Sequence, residues 1–182
     1  VKQKCTNKAQ CNSGFCEDGY CCLSSCASAC KSFGQPAKEG YCLPLASGAQ
    51  VNTGSKQCTG TQACDGKGAC LKKAGSTCTK GAECLTGNCA DGVCCDSACT
   101  SSCWACNLKG TVGTCSMVTA GQPDVNASKP CSKTGACDGK GACKLANGQT
   151  CKLDNECGTD TCKDSFCCDT KCDKDCQACN LN

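Results

Sequence analysis

The chain has 182 residues, of which 31 are cysteines, and it carries a formal net charge of +3 with only 3% aromatic residues. Scattered charges and few aromatic side chains argue against a nucleic-acid groove and against membrane insertion. Leucine, isoleucine, valine and phenylalanine total only 18 residues, too few to bury the apolar surface that usually offsets conformational entropy. The sequence therefore predicts a chain ordered by disulfides and secreted into an oxidising compartment, extracellular or at the cell surface.

One spacing of cysteines recurs along the chain with a period of 73 residues. Repeat two contains the framework Cys78, Cys84, Cys89, Cys94, Cys95, Cys99, Cys103, Cys106, Cys115, Cys131, Cys137 and Cys143. The equivalents in repeat one are Cys5, Cys11, Cys16, Cys21, Cys22, Cys26, Cys30, Cys42, Cys58, Cys64 and Cys70, and those in repeat three are Cys151, Cys157, Cys162, Cys167, Cys168, Cys172, Cys176 and Cys179. Such a period is typical of a linear array of units.

The period divides the chain into three repeats. Repeat one spans 1–73, with halves of about 1–34 and 35–73, and repeat two spans 74–146, with halves of about 74–109 and 110–146. Residues 147–182 form the first half of repeat three. We expect small, disulfide-rich, knottin-like tandem repeats that are mostly irregular, with short β-hairpins, negligible helix and an elongated arrangement.

Turn residues between cysteines predict where the hairpins lie. Asp18-Gly19 and Asp91-Gly92 are two-residue hairpin signals, and Asp164-Ser165 holds the same place in repeat three. The identical segments 63–70 and 136–143, both ACDGKGAC, predict a second tight hairpin. The long gaps 43–57 and 116–130 are rich in Ser, Thr, Gly and Pro, which favours surface loops.

The parity of the cysteines suggests how they pair. If each half pairs internally, only the first half of repeat one fails to close, because Phe33 stands in the place of Cys106. The alternative of a bond between Cys106 and Cys115, across the halves, leaves three cysteines without partners. We therefore expect the half-repeat to be the folding unit, with Cys30 as the candidate for an unpaired or interchain cysteine. The connectivity within each half stays open.

Two C-x-x-C pairs, Cys103-Trp104-Ala105-Cys106 and Cys176-Gln177-Ala178-Cys179, raise the possibility of redox or metal chemistry. A redox dithiol needs a supporting fold that lowers a thiol pKa, and a zinc site needs two such pairs suitably separated. The chain has no histidine, which removes the commonest general base. We interpret both pairs as disulfide positions and expect no catalytic residue, metal or cofactor. Asn126-Ala127-Ser128 matches an N-glycosylation pattern.

Several motifs together resemble a known family. They are the vicinal pair after an Asp-Gly turn in 91–95, the segment Asp96-Ser97-Ala98-Cys99, the Cys-Trp-Ala-Cys of 103–106 and the late Cys-Asp-Gly-x-Gly-x-Cys. Across essentially the whole chain they are similar to the cysteine-rich disulfide repeats of large surface proteins of myxobacteria and related bacteria. The resemblance implies a secreted or cell-surface array, often a stalk carrying an adhesive domain, and it implies no activity. Phe33 departs from the pattern.

These observations favour an extracellular structural protein, a disulfide-stapled rod that builds a stalk, fibre or filament, rather than an enzyme. The expected partners are further copies in a head-to-tail homopolymer, in which the half-repeat at 147–182 receives the start of another chain, or other surface proteins. The alternative is an adhesin or receptor-type binding module that presents one specific loop. Trp104, the only tryptophan, is the candidate anchor of such a loop.

Overall fold

The computed structural model describes residues 3–26, 28–33, 41–50, 58, 60–126, 130–131, 135–173 and 179. The chain forms two compact units, Val1–Lys73 and Ala74–Asn182. Unit one contains repeat one, and unit two contains repeat two together with the start of repeat three.

Within the described residues, regular structure is limited to two-stranded antiparallel hairpins and short 3₁₀ helices. The strands are β1 Cys16–Glu17, β2 Tyr20–Cys21, β3 Lys31–Ser32, β4 Leu43–Pro44, β5 Gln62–Cys64, β6 Cys70–Lys72, β7 Asn88–Ala90, β8 Val93–Cys95, β9 Trp104–Ala105, β10 Ser116–Met117, β11 Gly135–Cys137, β12 Cys143–Leu145, β13 Cys162–Lys163 and β14 Phe166–Cys167. Each odd-numbered strand pairs with the next even-numbered one. The 3₁₀ helices are Lys8–Gln10, Gly81–Glu83 and Asp154–Glu156. The predicted class, a small disulfide-rich fold of short hairpins, is confirmed.

The first hairpin of each repeat turns at the predicted dipeptide. Asp91 and Gly92, between β7 and β8, have φ of 51° and 78°. Both values lie in the left-handed region that a two-residue turn of this kind requires, which Asp tolerates and Gly adopts at no steric cost. The equivalent residues Asp18-Gly19 and Asp164-Ser165 also have positive φ at both positions. The sequence therefore encodes the same turn three times.

The ACDGKGAC segments form the second predicted hairpin, in which Cys64 faces Cys70 across β5–β6 and Cys137 faces Cys143 across β11–β12. In repeat two the Oδ1 atom of Asp138 accepts hydrogen bonds from the backbone N–H groups of Lys140 (2.8 Å) and Ala142 (2.9 Å). Asp65 makes the equivalent pair of bonds in repeat one. In both repeats an aspartate therefore stabilises this turn by accepting hydrogen bonds from the backbone of the turn.

The buried interior of the described residues consists mostly of sulfur. Of the 24 buried hydrophobic residues 18 are cysteines, and only Phe33 and Val118 are larger than alanine among the others. Isolated two-stranded hairpins are marginal in water, so their order must come from the bonds between them. No helix in the part of the chain that the structure describes has the length and apolar character needed to cross a membrane.

Inside unit two, the end of repeat two packs against the start of repeat three. Leu145 forms a parallel bridge with Cys157, and its carbonyl oxygen accepts a hydrogen bond from Gly158 N at 2.9 Å. The Lys144 ammonium donates to Asp160 Oδ1 at 2.8 Å. A Cβ added to Gly158 would lie 2.8 Å from the carbonyl oxygen of Cys137. Asp160 also pairs with the ammonium of Lys140 at 3.8 Å, so backbone contact and two ion pairs join consecutive repeats here.

The gap 116–130 is only partly the surface loop that its composition predicts. It begins with β10, and Val118 and Asn126 are only 3% and 2% exposed. The equivalent gap, 43–57, begins with β4, and its last seven residues lie outside the described part of the chain.

Candidate functional site

The disulfide framework begins with a pair of bonds that is the same in all three repeats. In repeat two Cys78 bonds Cys89 and Cys84 bonds Cys94, which ties the β7–β8 hairpin to the segment before it. The equivalent bonds are Cys5–Cys16, Cys11–Cys21, Cys151–Cys162 and Cys157–Cys167. All six have Cα–Cα distances of 5.3–6.0 Å, within the usual range for a disulfide. We call this part the upstream module (Cys78–Cys94 in repeat two).

The vicinal cysteines separate the upstream module from the rest of the repeat. Cys94 bonds back to Cys84, whereas Cys95 bonds forward to Cys106. Three further bonds, Cys99–Cys115, Cys103–Cys137 and Cys131–Cys143, complete what we call the downstream module (Cys95–Cys143 in repeat two). Each module of repeat two is closed by its own bonds, and the boundary falls between two adjacent residues.

The expectation that each half-repeat pairs internally is therefore wrong. Cys99–Cys115 and Cys103–Cys137 both cross the boundary at 109/110, and Cys26–Cys42 and Cys30–Cys64 do the same in repeat one. The backbone explains why the halves join, because β9 from the first half pairs with β10 from the second. Val118 N then donates to the Cys103 carbonyl oxygen at 2.8 Å, which extends the ladder next to the sulfur bridge.

The expectation that Cys30 is unpaired or interchain is wrong, since Cys30 bonds Cys64. Phe33 occupies the place of Cys106, so the affected cysteine is the equivalent of Cys95, namely Cys22. Cys22 is 2% exposed, and its sulfur lies 3.0 Å from the Tyr20 carbonyl oxygen. Phe33, 1% exposed, packs in one cluster with Cys22, Cys26 and Cys42. The sequence shows that the cysteine at position 33 is replaced by phenylalanine. It does not show which cysteine that position would bond, because the connectivity cannot be read from the spacing.

Cys172 forms no disulfide with another described residue, and it is half-buried. Its equivalents, Cys26 and Cys99, each bond a cysteine sixteen residues downstream. Its sulfur lies 2.8 Å from the sulfur of Cys179, which is itself bonded to Cys168. Cys176 lies outside the described residues.

Carboxylates fix the backbone beside the disulfides. Asp91, in the hairpin turn, accepts a hydrogen bond from Cys106 N at 2.9 Å, and its equivalent Asp18 accepts one from Phe33 N at the same distance. Asp96 accepts from Cys115 N at 2.9 Å. The turn thus positions the residue fifteen places downstream, whether that residue is a cysteine or a phenylalanine.

The pKa values of the two ACDGKGAC aspartates are held below their ordinary value. For Asp138 burial acts to raise the pKa, but the N–H groups of Ala142 and Lys140 and the nearby charge of Lys144 together outweigh it. For Asp65 the N–H groups of Ala69 and Lys67 lower the pKa. Both carboxylates are therefore ionised acceptors that belong to the fold.

Asn126 has a structural role that its sequence context did not reveal. Its Nδ2 atom lies within hydrogen-bonding distance of the carbonyl oxygens of Cys99 (2.9 Å), Ser101 (2.9 Å) and Trp104 (2.8 Å). The nitrogen to which an N-linked sugar would attach is thus buried and engaged inside the downstream module. Ala127 and Ser128 lie outside the described residues.

Trp104, the candidate anchor of a binding loop, is half-buried against the ACDGKGAC turn. A Cβ at Gly141 would lie 2.6 Å from its indole nitrogen. In repeat one Lys31 occupies this position and its side chain covers Gly68 in the same way. The position after the seventh cysteine therefore covers a glycine of the turn in both repeats, with different side chains.

The C-x-x-C pair of repeat two does not form a dithiol centre, because Cys103 bonds Cys137 and Cys106 bonds Cys95. In the third repeat Cys179 bonds Cys168, while Cys176 is not described. Groups of sulfur atoms close enough to hold a metal, such as Cys78, Cys84 and Cys94, coincide with these disulfides. Oxidised sulfur offers no thiolate to a metal, so the groups named are better explained as the framework itself.

No family model, curated protein or solved structure matches this chain.

Proposed function

We propose that this chain is an extracellular structural protein, a disulfide-stapled repeat array that builds a stalk, fibre or filament. The observation that carries the proposal is the recurrence of the same bonds in successive repeats around a core made of sulfur. Such a core resists heat and proteolysis because each bond restricts the unfolded chain. The abundance of disulfides favours an oxidising, extracellular location.

The packing between repeats two and three also supports an array. Leu145, Cys157 and Gly158 join the repeats through backbone contact, and Lys144 pairs with Asp160 across the junction. Neighbouring units that contact mainly each other are typical of repeat proteins. A resemblance to bacterial surface stalk repeats, carried by the cysteine motifs, points the same way.

The loop-presenting alternative is less well supported by the described residues. Its candidate anchor, Trp104, covers Gly141, and its carbonyl oxygen accepts a hydrogen bond from the buried Asn126. A side chain committed to a turn of its own repeat is poorly placed to anchor a ligand.

Tension gives a direct test of a structural role. The shortest covalent path from Cys78 to Cys151 passes through Cys78–Cys89, Cys95–Cys106 and Cys103–Cys137. It contains about 23 residues of backbone, so its extended length is about 100 Å, against about 250 Å for the reduced repeat. In single-molecule extension we expect repeat two to stop lengthening near the shorter value and to reach the longer one after reduction. Equal lengths before and after reduction would contradict the proposed framework.

Assembly is tested separately by electron microscopy and light scattering of the oxidised chain. A stalk- or filament-forming protein is expected to give elongated particles that lengthen with concentration when the chains associate. Compact particles of constant mass that bind a ligand through one loop would favour the binding module instead.

A further inference from the structure

Two disulfides of repeat two are in contact, and one of them reaches the surface. Cys143 is the only cysteine among the described residues that is exposed, and it is bonded to the half-buried Cys131. The Cys131 sulfur lies 3.4 Å from the sulfur of Cys103, which is bonded to Cys137. Cys103 and Cys137 are both 0% exposed. The outer disulfide is therefore open to a reagent in solution, whereas the inner one is shielded and touches the outer one.

The β11–β12 hairpin places two cysteines that are not bonded to each other face to face. Cys137 and Cys143 are Cα partners across the hairpin. Cys137 N donates to the Gln122 carbonyl oxygen and the Cys137 carbonyl oxygen accepts from Gly121 N, both at 2.8 Å, so neither group bonds to Cys143. In such a non-hydrogen-bonded pair the Cα atoms are about 4.5 Å apart, within the range that a disulfide spans. A Cys137–Cys143 bond thus fits the hairpin as it stands.

We propose that Cys103, Cys131, Cys137 and Cys143 form a site at which a small thiol catalyses disulfide isomerisation. The thiol loses its proton to solvent, and its thiolate attacks the Cys143 sulfur, which forms a mixed disulfide and releases Cys131 as a thiolate. Cys131 attacks the Cys103 sulfur, so that a Cys103–Cys131 bond forms and Cys137 leaves as a thiolate. Cys137 then attacks Cys143, which forms Cys137–Cys143 and returns the small thiolate to solvent, where it regains its proton. Two disulfides are present before and after, so no oxidant or reductant is consumed.

A carboxylate beside the sulfur atoms favours completion of the exchange. A carboxylate oxygen of Asp124 and the sulfur atoms of Cys103, Cys131 and Cys137 all lie within 4.8 Å of one another. A nearby negative charge disfavours the thiolate form of cysteine, so a thiolate released here should react onward to a disulfide. The two fully bonded pairings are therefore the states that this site favours.

Repeat one has the same sulfur arrangement with a less accessible entry. The Cys30 sulfur lies 3.1 Å from that of Cys58 and 3.6 Å from that of Cys70, and Cys64 and Cys70 are Cα partners. Cys70 is half-buried, whereas its equivalent Cys143 is exposed. Attack by a thiol in solution should therefore be faster in repeat two.

Isomerisation changes which segments of repeat two are joined by sulfur. In the resting pairing Cys103, which precedes β9, is bonded to β11, and Cys131 is bonded to β12. In the other pairing β11 and β12 are bonded to each other, and Cys103 is bonded to the segment before the hairpin. The hairpin contacts repeat three through Leu145. A small thiol could thus release this hairpin from its direct bond to Cys103 without lowering the number of disulfides.

The test is disulfide mapping of the full oxidised chain during incubation with reduced glutathione. Samples are acidified to stop thiolate exchange, labelled with a maleimide and digested with trypsin. Cleavage after Lys133 and Lys140 places Cys131, Cys137 and Cys143 on separate peptides. We expect the resting pairing alone at the start, and Cys103–Cys131 together with Cys137–Cys143 to appear with time without a matching gain in labelled thiols. Persistence of the resting pairing, or loss of bonds without new pairs, would overturn the proposal.

Two matched variants separate the steps. Cys143→Ser leaves Cys131 as a thiol beside the inner bond, and we expect label to be divided between Cys131 and Cys137 without added glutathione. Label confined to Cys131 would contradict the internal attack. The double variant Cys131→Ser, Cys143→Ser lacks the outer bond, so glutathione should leave Cys103–Cys137 intact. Loss of that bond at the wild-type rate would show that solution thiols reach it directly, against the proposal. These outcomes do not depend on whether the chain forms fibres.

Discussion

Repeats one and two fill the same position of the fold with different side chains, a phenylalanine in repeat one and a disulfide in repeat two. In repeat two a disulfide joins Cys95 to Cys106, whereas in repeat one the ring of Phe33 packs against Cys22. In both, an aspartate of the hairpin turn holds the backbone at 2.9 Å. One bond of the framework can thus be replaced by apolar burial, provided that the turn still positions the backbone. The two units can be followed separately, because both tyrosines lie in repeat one and the only tryptophan lies in repeat two.

The largest expected effect comes from removing the ring that replaces the disulfide. Phe33→Ala should lower the free energy of unfolding of unit one by about 3–5 kcal/mol, because a fully buried ring is lost and leaves a cavity. Tyrosine fluorescence in guanidinium measures the change. Phe15→Ala is the control, since Phe15 is 38% exposed, and its effect should stay within about 0.5 kcal/mol. Equal effects of the two variants would mean that Phe33 has no special role.

Removing the disulfide itself should cost somewhat less. Replacing both Cys95 and Cys106 by alanine should destabilise unit two by about 2–4 kcal/mol, because the unfolded chain is no longer restricted by a loop of eleven residues. Tryptophan fluorescence in guanidinium reports the loss. Cys106→Phe, which copies repeat one, should recover part of that stability. A phenylalanine variant less stable than the double alanine variant would contradict the equivalence of ring and disulfide.

The turn aspartate should contribute a smaller amount in both units. Asp91→Ala removes the acceptor of Cys106 N and places alanine at a φ of 51°, so we expect a loss of about 1–3 kcal/mol. Asp91→Asn keeps an acceptor and tolerates this backbone conformation, so it should cost less than half as much. Asp18→Ala should act in the same way on unit one. No difference between alanine and asparagine would show that the hydrogen bond is unimportant.

The smallest expected effect is a dependence on pH. Hydrogen bonds hold the pKa of Asp65 and Asp138 below the unfolded value, so the unfolded chain binds more protons as the pH falls. Their stabilisation is complete above about pH 4 and is lost as the pH falls through the folded-state pKa. Unfolding in guanidinium at a series of acidic pH values should show a shallower decline for Asp65→Asn in unit one and for Asp138→Asn in unit two. An unchanged decline in both variants would show that these carboxylates are not responsible.

Local features of the fold were predictable because each depends on a few adjacent residues. The Asp-Gly turns and the ACDGKGAC hairpins follow from residues that accept positive φ, and the period of 73 follows from spacing alone. The pairing across halves was not predictable, because it depends on β9 meeting β10, which no local pattern encodes. Counting leftover cysteines failed as well, because the two bonds that cross the boundary, Cys99–Cys115 and Cys103–Cys137, leave an even number of cysteines in each half of repeat two. The buried role of Asn126 was hidden in a polar segment that resembles a surface loop.

Mapping the disulfides of the oxidised chain by mass spectrometry tests the central claim most directly. The account predicts Cys99–Cys115 and Cys103–Cys137 in repeat two, and their counterparts Cys26–Cys42 and Cys30–Cys64 in repeat one. Bonds confined within the half-repeats, such as Cys115 joined to Cys131, Cys137 or Cys143, would contradict it.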